Sequence, residues 1–314
     1  MGKKVTTAIN FPVGFIGLGN MGNPMARNLL MAGFPLVVHD LQRGQAENLL
    51  AQGAQWADSP RAVAEQVAVV ITMLPHPEAV QAVVSGEEGI AAGLRPGKTW
   101  IDCSTNGQEN FLALAGRVAE SGADVLDAPV TGAVDGAHKG ELVIFVGGET
   151  AVLERNRPVL APLAKQIHHA GPLGAGIAAK LLTNLLWFVN ACAIGEALML
   201  GAKAGIELPK LWEIIKTSAG NSWVAEHDVP SIFAGHYDPS FTLDLCVKDL
   251  RLIHQLARQL RIPLAMGSTA DELFRRAQAQ YGGDKGEMHV VKLLEEVTGT
   301  RLQLPEFQDF THMP

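Results

Sequence analysis

One lysine lies inside the most apolar stretch of the chain, and its neighbours indicate what it could do. If residues 174–189 are helical, Gly176, Lys180 and Asn184 follow one another at intervals of four and share one face. A buried ammonium is costly unless it has partners or a task, and burial lowers the pKa of a lysine toward the range useful for proton transfer. The bland alternative is a lysine whose long stem lets its charge reach solvent. The segment alone favours neither.

A glycine-rich turn follows the first apolar run. The motif comes after Val13–Ile16 and opens a helical pattern, which is the context that a dinucleotide-binding turn requires. Its first glycine allows the tight turn, the second lets backbone approach a pyrophosphate, and the third permits close helix packing. The helix N-terminus would face the phosphates. The cofactor contacts predicted here are Gly17, Leu18, Gly19, Asn20, Met21 and Gly22.

An acidic residue ends the second apolar run. Asp40 stands where a carboxylate hydrogen-bonds the ribose hydroxyls of a bound dinucleotide. A negative charge there repels a 2′-phosphate, so the sequence favours NAD over NADP. Arg43 lies near enough to weaken that preference. The alternative for Asp40 is an ordinary strand-end or capping residue.

Three further loops follow predicted strands, on the side where such sheets bind ligands. Leu74-Pro75 follows the third strand, and Asp102 to Thr105 follows the fourth. The loop from Asp127 to Ala133 follows the fifth, and its small residues could point backbone N–H groups at a carboxylate. A strand stop, a helix cap and a plain glycine loop are the respective alternatives.

These loops need a sheet and helices to position them. Strand patterns at 13–16, 36–39, 67–74, 99–101, 124–126 and 142–146 alternate with helical patterns to about residue 172. Alternation of this kind predicts an α/β fold with a doubly wound, mostly parallel sheet. After Gly171-Pro172 only helical runs follow, at about 175–204, 209–218, 242–260, 266–281 and 287–298. We therefore predict a tail over 1–11, a Rossmann-type NAD-binding domain over 12–172, and an all-helical substrate and dimerisation domain over 173–314.

Composition limits the classes of partner. The 314 residues are 47% hydrophobic and carry a formal net charge of -7, which argues against nucleic acid as the main partner. Three cysteines without metal-ligand spacing favour a reducing, cytoplasmic setting. Residues 1–10 lack the apolar stretch of a signal peptide. The apolar run at 185–202 contains Asn190 and Glu196, so we expect a buried helix and no membrane span.

Metal and hydrolase chemistry find little support in the sequence. There is no His-x-x-x-His pair or carboxylate cluster along the chain, so no metal is expected. There is also no Gly-x-Ser-x-Gly elbow. His168 and His169 would point apart on a strand. His138 is a possible base, although an exposed loop histidine is the preferred interpretation.

Four motifs in order resemble the β-hydroxyacid dehydrogenases, the family of 3-hydroxyisobutyrate dehydrogenase and tartronate semialdehyde reductase. They are the glycine turn at 14–22, the loop at 127–140, the segment from Gly174 to Asn184, and Lys248-Asp249-Leu250. The resemblance runs from about Pro12 to the final helices. It implies Lys180 as the catalytic lysine and Asn184 as an amide that holds substrate. It further implies substrate contacts at Thr131 and Gly132, to which we add Ala133 and Trp223, and cofactor contacts at Leu74, Pro75, Thr105 and Lys248.

The chain departs from the family pattern at three places. Thr131-Gly132-Ala133 stands where the family often has Ser-Gly-Gly, and Glu141 stands where many members have threonine. Asn106-Gly107 is a less familiar continuation of the Ser-Thr pair. These departures leave the reaction intact and bear on the identity of the substrate.

The resemblance implies reversible hydride transfer between NAD and a small β-hydroxy acid, with a carboxylate-bearing substrate. Two alternatives differ in class: an imine reductase-like enzyme that uses NADPH, and a non-catalytic nucleotide sensor or scaffold of the same fold. Lys180 counts against both, and Asp40 counts against NADPH. The long apolar helix after residue 175 predicts a homodimer or homotetramer.

Overall fold

The computed structural model describes residues 11–310, so the predicted tail lies outside the described residues apart from Phe11, and so does the expectation about a signal peptide. The chain forms two compact units that divide between Lys180 and Leu181. This division falls inside a long helix, whereas the sequence pattern placed the domain boundary just before that helix. Each unit has its own set of elements.

The first unit contains one nine-stranded sheet with helices between the strands. Its strands are β1 (Val13–Ile16), β2 (Leu36–His39), β3 (Gln55–Trp56), β4 (Val69–Thr72), β5 (Thr99–Asp102), β6 (Asp124–Asp127), β7 (Val130–Thr131), β8 (Leu142–Gly147) and β9 (Ala164–Gly171). Its helices are α1 (Gly22–Met31), α2 (Glu47–Leu50), α3 (Pro60–Gln66), α4 (Pro77–Ser85), α5 (Ile90–Gly93), α6 (Gln108–Ala119), α7 (Ala133–Lys139) and α8 (Thr150–Leu160), with short 3₁₀ helices at Arg43–Ala46 and Ala161–Leu163.

The sheet order is β3-β2-β1-β4-β5-β6-β8-β7, with β9 paired to β8. The strands from β3 to β6 along this order are parallel, whereas β8 runs antiparallel to β6 and β7. The central strands β1, β2, β4 and β5 are buried along their whole length, as expected where helices cover both faces of a sheet. Their carboxyl ends meet at one edge, where the predicted cofactor loops follow. The predicted α/β class is confirmed.

Three strands escaped the sequence pattern. Strands β3 and β7 contain two residues each and are too short to show an alternation. Strand β9 is longer, but it is an edge strand with polar, largely exposed residues, including His168 and His169. Edge strands of this kind lack the continuous apolar run that marks a buried parallel strand.

One continuous helix, α9 (Ala175–Lys203), connects the units. By length and composition it could cross a membrane, a test that the core helix of a soluble protein also passes, and 39% of its most apolar window is buried. Several of its leucines, Leu182, Leu186 and Leu200, are exposed. The helix is apolar on nearly every side.

The second unit is helical throughout its described residues, 181–310, apart from an isolated bridge between Thr242 and Gly286. Beyond α9 its helices are α10 (Leu208–Lys216), α11 (Trp223–His227), α12 (Val229–Ala234), α13 (Leu243–Leu260), α14 (Ala265–Tyr281) and α15 (His289–Thr298), with a 3₁₀ helix at Pro305–Phe307. The four longer predicted helices are present within two residues at each end. The short helices α11 and α12 were not predicted, because neither spans two full turns.

Candidate active site

The glycine turn between β1 and α1 has the shape that the motif predicts. Gly17 has a φ of +93°, and a Cβ there would lie 2.3 Å from the carbonyl oxygen of Met73. A Cβ on Gly22 would lie 1.9 Å from the carbonyl oxygen of Gly17. A Cβ on Gly19 would meet nothing within 4 Å. Packing within the protein therefore explains the first and third glycines, and the second leaves open space where a dinucleotide phosphate would fit.

Asp40 closes this turn from the end of β2. One carboxylate oxygen accepts the Leu18 N–H at 2.7 Å, and the other accepts the Gln42 N–H at 2.8 Å. Each oxygen keeps lone pairs for further donors, as ribose hydroxyls would require. Arg43 lies over the Trp56 ring, 5.3 Å from its centroid. The Leu18 side chain is part of the core, so only its backbone faces the turn.

The ends of β4 and β5 are tied together by buried hydrogen bonds. The Thr72 hydroxyl and the Ser104 N–H both donate to one oxygen of Asp102, at 2.8 and 3.1 Å. The Ser104 hydroxyl in turn accepts the Leu74 N–H at 2.9 Å. Burial raises the pKa of Asp102 to about 6, although hydrogen bonds from Ser104 and Thr72 oppose the shift. The network fixes Leu74. It includes Asp102, which the sequence placed in a candidate ligand loop, and Thr72, to which the sequence assigned no role.

The loop at Thr131-Gly132-Ala133 leads from β7 into α7. Gly132 has a φ of +124° and precedes the first turn of α7, and Ala133 has a φ of 52°. An alanine in this left-handed region is strained, where a glycine is not. The family's usual glycine therefore has a physical reason here. Glu141 is exposed after the helix. His138 is exposed as expected, but it lies within α7 and not in a loop.

Asp127 anchors the start of α9. One of its carboxylate oxygens accepts the Gly174 N–H at 2.7 Å, and the other accepts the Ile177 N–H at 2.8 Å. Burial raises its pKa, and the backbone N–H groups of α9 oppose that rise. A Cβ on Gly176 would lie 2.3 Å from the carbonyl oxygen of Phe145 and 2.8 Å from Asp127. The face that Gly176 shares with Lys180 and Asn184 predicts a glycine that makes room for ligands, and this prediction is wrong. Gly176 instead lets the helix pack closely on the sheet.

Lys180 lies just over one turn into the same helix and is only 8% exposed. Its neighbours Ile177 and Leu181 are buried in the core. The alternative of a lysine that extends into solvent does not hold. A positioned amine in such an environment can donate or accept a proton at a reacting oxygen.

In the second unit, Asn184 and Lys248 meet at one buried carboxylate. The Asn184 amide donates to one oxygen of Asp249 at 2.7 Å, and the Lys248 ammonium lies 2.9 Å from the other. Asn184 and Asp249 are 3% and 1% exposed. The Lys-Asp pair is therefore not the solvated helix face that such a pair usually indicates. Asp249 holds two residues of the predicted site and was itself missed as a site residue.

The remaining predicted site residues are all at least partly exposed. Trp223 begins α11, is 64% exposed, and stacks on His227 with ring centroids 3.6 Å apart. Thr105 is half-buried after Ser104, and Pro75 is exposed after Leu74. Their roles as site residues stay predictions.

Comparison with known proteins agrees with this geometry. The family model "NAD binding domain of 6-phosphogluconate dehydrogenase" matches residues 12–171, and "NAD-binding of NADP-dependent 3-hydroxyisobutyrate dehydrogenase" matches residues 174–294. A 2-(hydroxymethyl)glutarate dehydrogenase of Eubacterium barkeri is 37% identical over 91% of this chain and 96% of its own length. A 3-hydroxyisobutyrate dehydrogenase of Pseudomonas aeruginosa is 38% identical over 86% of this chain and 94% of its own.

A solved structure extends the likeness to three dimensions. The 3-hydroxyisobutyrate dehydrogenase of Mycobacterium tuberculosis, solved with L-serine, has a TM-score of 0.85 at 33% identity and covers 90% of this chain and 99% of its own. Sequence models, relatives and structure agree along nearly the whole chain. The chain therefore belongs to the β-hydroxyacid dehydrogenase family of NAD-dependent oxidoreductases.

Proposed function

We propose that the protein transfers a hydride reversibly between NAD and a short carboxylic acid with a hydroxyl on its β-carbon, such as 3-hydroxyisobutyrate, giving the semialdehyde. The observation that carries this proposal is the helix α9, which places a lysine 8% exposed one turn before an asparagine 3% exposed. Bound NAD supplies the hydride acceptor. The chain's own residues bind, orient and deprotonate.

Lys180 is the proposed general acid and base. In the oxidation direction its neutral amine takes the proton of the substrate hydroxyl as the hydride leaves the carbon, and in reduction its ammonium returns that proton. Groups of this kind contribute about 100- to 10,000-fold in rate. Asn184, held by Asp249, would orient the reacting oxygen. The backbone at Thr131 and Gly132 would receive the substrate carboxylate.

NAD is proposed as the preferred cofactor over NADP. The Asp40 carboxylate is fixed in the glycine turn by two backbone N–H groups. A fixed negative charge repels a 2′-phosphate and suits ribose hydroxyls. Arg43, the residue that could favour a phosphate, lies against the Trp56 ring.

The test is NADH formation with a panel of acids, with NAD against NADP. 3-Hydroxyisobutyrate, 2-(hydroxymethyl)glutarate and L-serine are the first choices, because they appear in the names of the similar proteins. Lys180→Ala should lose most turnover, about 100-fold or more, and keep NAD binding. Near-normal turnover of that variant would refute the role of Lys180.

The same assay separates the other candidate functions. An imine reductase-like enzyme would reduce cyclic imines with NADPH and ignore the acids. A nucleotide sensor would bind NAD tightly and turn over neither class. The buried Lys180 favours the dehydrogenase over both.

We further propose that a second copy of the chain covers the exposed leucines of α9, Leu182, Leu186 and Leu200, in a homodimer or homotetramer. Large exposed apolar side chains along one helix are a common feature of such interfaces. Light scattering that gives a monomer mass at micromolar concentration would contradict this.

We also propose a reducing, cytoplasmic setting. The three cysteines are free, which supports this proposal, and cell fractionation would test it.

A further inference from the structure

Three buried acidic side chains converge in the second unit, outside the residues assigned to the reaction. Asp228, Asp238 and Glu287 are 6%, 4% and 1% exposed. One carboxylate oxygen of each lies within 4.8 Å of those of the other two. Because Glu287 lies far in sequence from the two aspartates, no short ligand-spacing motif reveals the three together. Burying three acids side by side is costly unless something compensates their charge.

Glu287 shows the problem most plainly. Among the described residues, neither of its carboxyl oxygens receives a hydrogen bond from an N–H or O–H donor. The Asp238 carboxyl group lies close enough to share a proton with it, but two ionised carboxylates cannot satisfy each other. Burial, with the negative charges of Asp238 and Asp228, raises its pKa well above the ordinary value. A buried carboxyl group with both oxygens unsatisfied is rare in folded proteins. It points to a cation or a proton that completes the cluster.

The backbone is shaped to hold the cluster together. Tyr237 and Asp238 both have left-handed backbone, with φ of 54° and 47°. A Cβ on Gly286 would lie 1.9 Å from the carbonyl oxygen of Asp238, so this glycine lets the loop press against the segment that carries Glu287. The Ser240 N–H donates to Asp238 at 2.9 Å and fixes its orientation. Strained backbone of this kind persists where the surroundings require it.

Asp228 is oriented by an aromatic donor. The Trp187 indole N–H donates to one of its oxygens at 2.9 Å. Such outer hydrogen bonds typically fix the ligands of metal sites. The arrangement also places a light-absorbing indole directly beside the cluster.

The spacing of the three oxygens and their chemistry indicate the class of ion that could bind. Carboxylate oxygens bind Ca²⁺ at roughly 2.3–2.6 Å, so two ligands of one ion lie at most about 5 Å apart. The limit of 4.8 Å between the three oxygens meets this condition. An all-oxygen set suits hard cations, whereas zinc sites commonly use cysteine or histidine. Mg²⁺ usually keeps several waters and binds only one or two carboxylates, so three convergent carboxylates suit it less well.

We infer that Asp228, Asp238 and Glu287 bind one hard divalent cation of the Ca²⁺ class, which fastens the loop between α12 and α13 to the segment before α15. The role is structural and independent of the hydride transfer proposed above. The ion would neutralise most of the cluster's charge and satisfy the oxygens of Glu287.

The test uses the full-length protein after treatment with a chelator. Calorimetric titration with Ca²⁺, Mn²⁺ and Mg²⁺ should give one site per chain, with Ca²⁺ or Mn²⁺ tighter than Mg²⁺. Tb³⁺ should luminesce on excitation of tryptophan, and Trp187→Phe should lose that signal while keeping the rise in Tm on Ca²⁺ addition. Ligand that binds only the folded state raises Tm by mass action.

Glu287→Gln should weaken Ca²⁺ binding at least ten-fold and abolish the rise in Tm. The matched control is Glu272→Gln, an exposed glutamate of α14, which should behave as the parent protein. If Glu287→Gln does not fold, Asp238→Asn serves in its place. A chelator-treated parent that binds none of the ions would overturn the inference. Together with a higher Tm for Glu287→Gln, that result would mean that the cluster holds a proton.

Discussion

The side-chain amide of Asn184 donates to the Asp249 carboxylate at 2.7 Å, and both residues are almost wholly buried. The amide nitrogen is committed to this bond, so the rotation of the amide is fixed and its oxygen points the other way. The Lys248 ammonium lies 2.9 Å from the second oxygen of Asp249 and helps to hold that carboxylate in place. Asp249 thus holds two residues of the candidate site, Asn184 and Lys248.

We expect removal of the Asp249 carboxylate to lower turnover while the first unit, which does not contain Asp249, stays folded. Asp249→Asn keeps the size of the side chain but loses the ion pair and lets the Asn184 amide rotate. A hydrogen bond to a charged group contributes about 1.5–3 kcal/mol, so we expect a loss of about ten- to 100-fold in kcat/KM, mostly in kcat. Asp284→Asn, which removes an exposed ion pair with Lys285, is the control and should change little. Equal kinetics for the two variants would mean that Asp249 does not position the site.

The glycine turn offers a separation of ligand binding from folding. Gly19→Ala adds a methyl group to open space, so the variant should keep its Tm and bind NAD at least about ten-fold more weakly, because a phosphate can no longer approach the backbone. Gly22→Ala would collide with the Gly17 carbonyl oxygen and should lower Tm. Gly44→Ala, also in open space, is the control for both. Calorimetric NAD titration and thermal melting measure the two effects, and an unchanged NAD affinity for Gly19→Ala would argue against the turn as the phosphate site.

The strained alanine of the substrate loop should be replaceable. Ala133→Gly relieves a left-handed conformation that costs about 1–2 kcal/mol for residues other than glycine, so we expect the free energy of unfolding to rise by up to about 1 kcal/mol after the entropy of glycine is subtracted. Ala137→Gly, at a buried position within α7, should instead lower it. Urea denaturation distinguishes them. If Ala133→Gly also changes relative turnover across the acid panel, the methyl group contributes to substrate choice.

Asp102 should make stability depend on pH below neutrality. Its folded pKa of about 6 exceeds the unfolded value near 3.8, so between these pH values the folded state binds more protons than the unfolded state. Its contribution to the free energy of unfolding therefore falls as pH rises from 4 to 6, by about 3 kcal/mol, and is constant above. The difference in unfolding free energy between parent and Asp102→Asn, measured across pH 4–7, isolates this contribution. A pH-independent difference would mean that Asp102 is ionised throughout.

Short sequence patterns predict those parts of the fold and of the candidate site that depend on residues close together in the chain. The parallel strands can be predicted because strands buried on both faces are continuous apolar runs. The glycine turn can be predicted because backbone conformation and close contacts exclude other residues at Gly17 and Gly22. The lysine helix appears because an ammonium is conspicuous among leucines. These features gave the fold and the family.

Features made by distant residues stay hidden. Asp127 and Asp249 both lie inside sequence motifs. Only the structure shows that Asp127 caps α9 and that Asp249 holds Asn184. The sequence predicts that Gly176 makes room for a ligand, because nothing in the sequence shows that the carbonyl group of Phe145 lies against it. The trio of Asp228, Asp238 and Glu287 is assembled from three segments and has no sequence signal.

Because Asp127 caps the start of α9, it fixes the position of Lys180 along and around the helix. Both carboxylate oxygens grip backbone N–H groups at Gly174 and Ile177, which fixes where the helix starts and therefore its rotational phase. One residue inserted before Lys180 would turn the ammonium by about 100° and advance it by about 1.5 Å. The position of the Lys180 amine, the proposed acid and base, is thus set by the number of residues that separate it from a carboxylate in the sheet. We expect a change of length in this segment to be tolerated far less than a change of side chain.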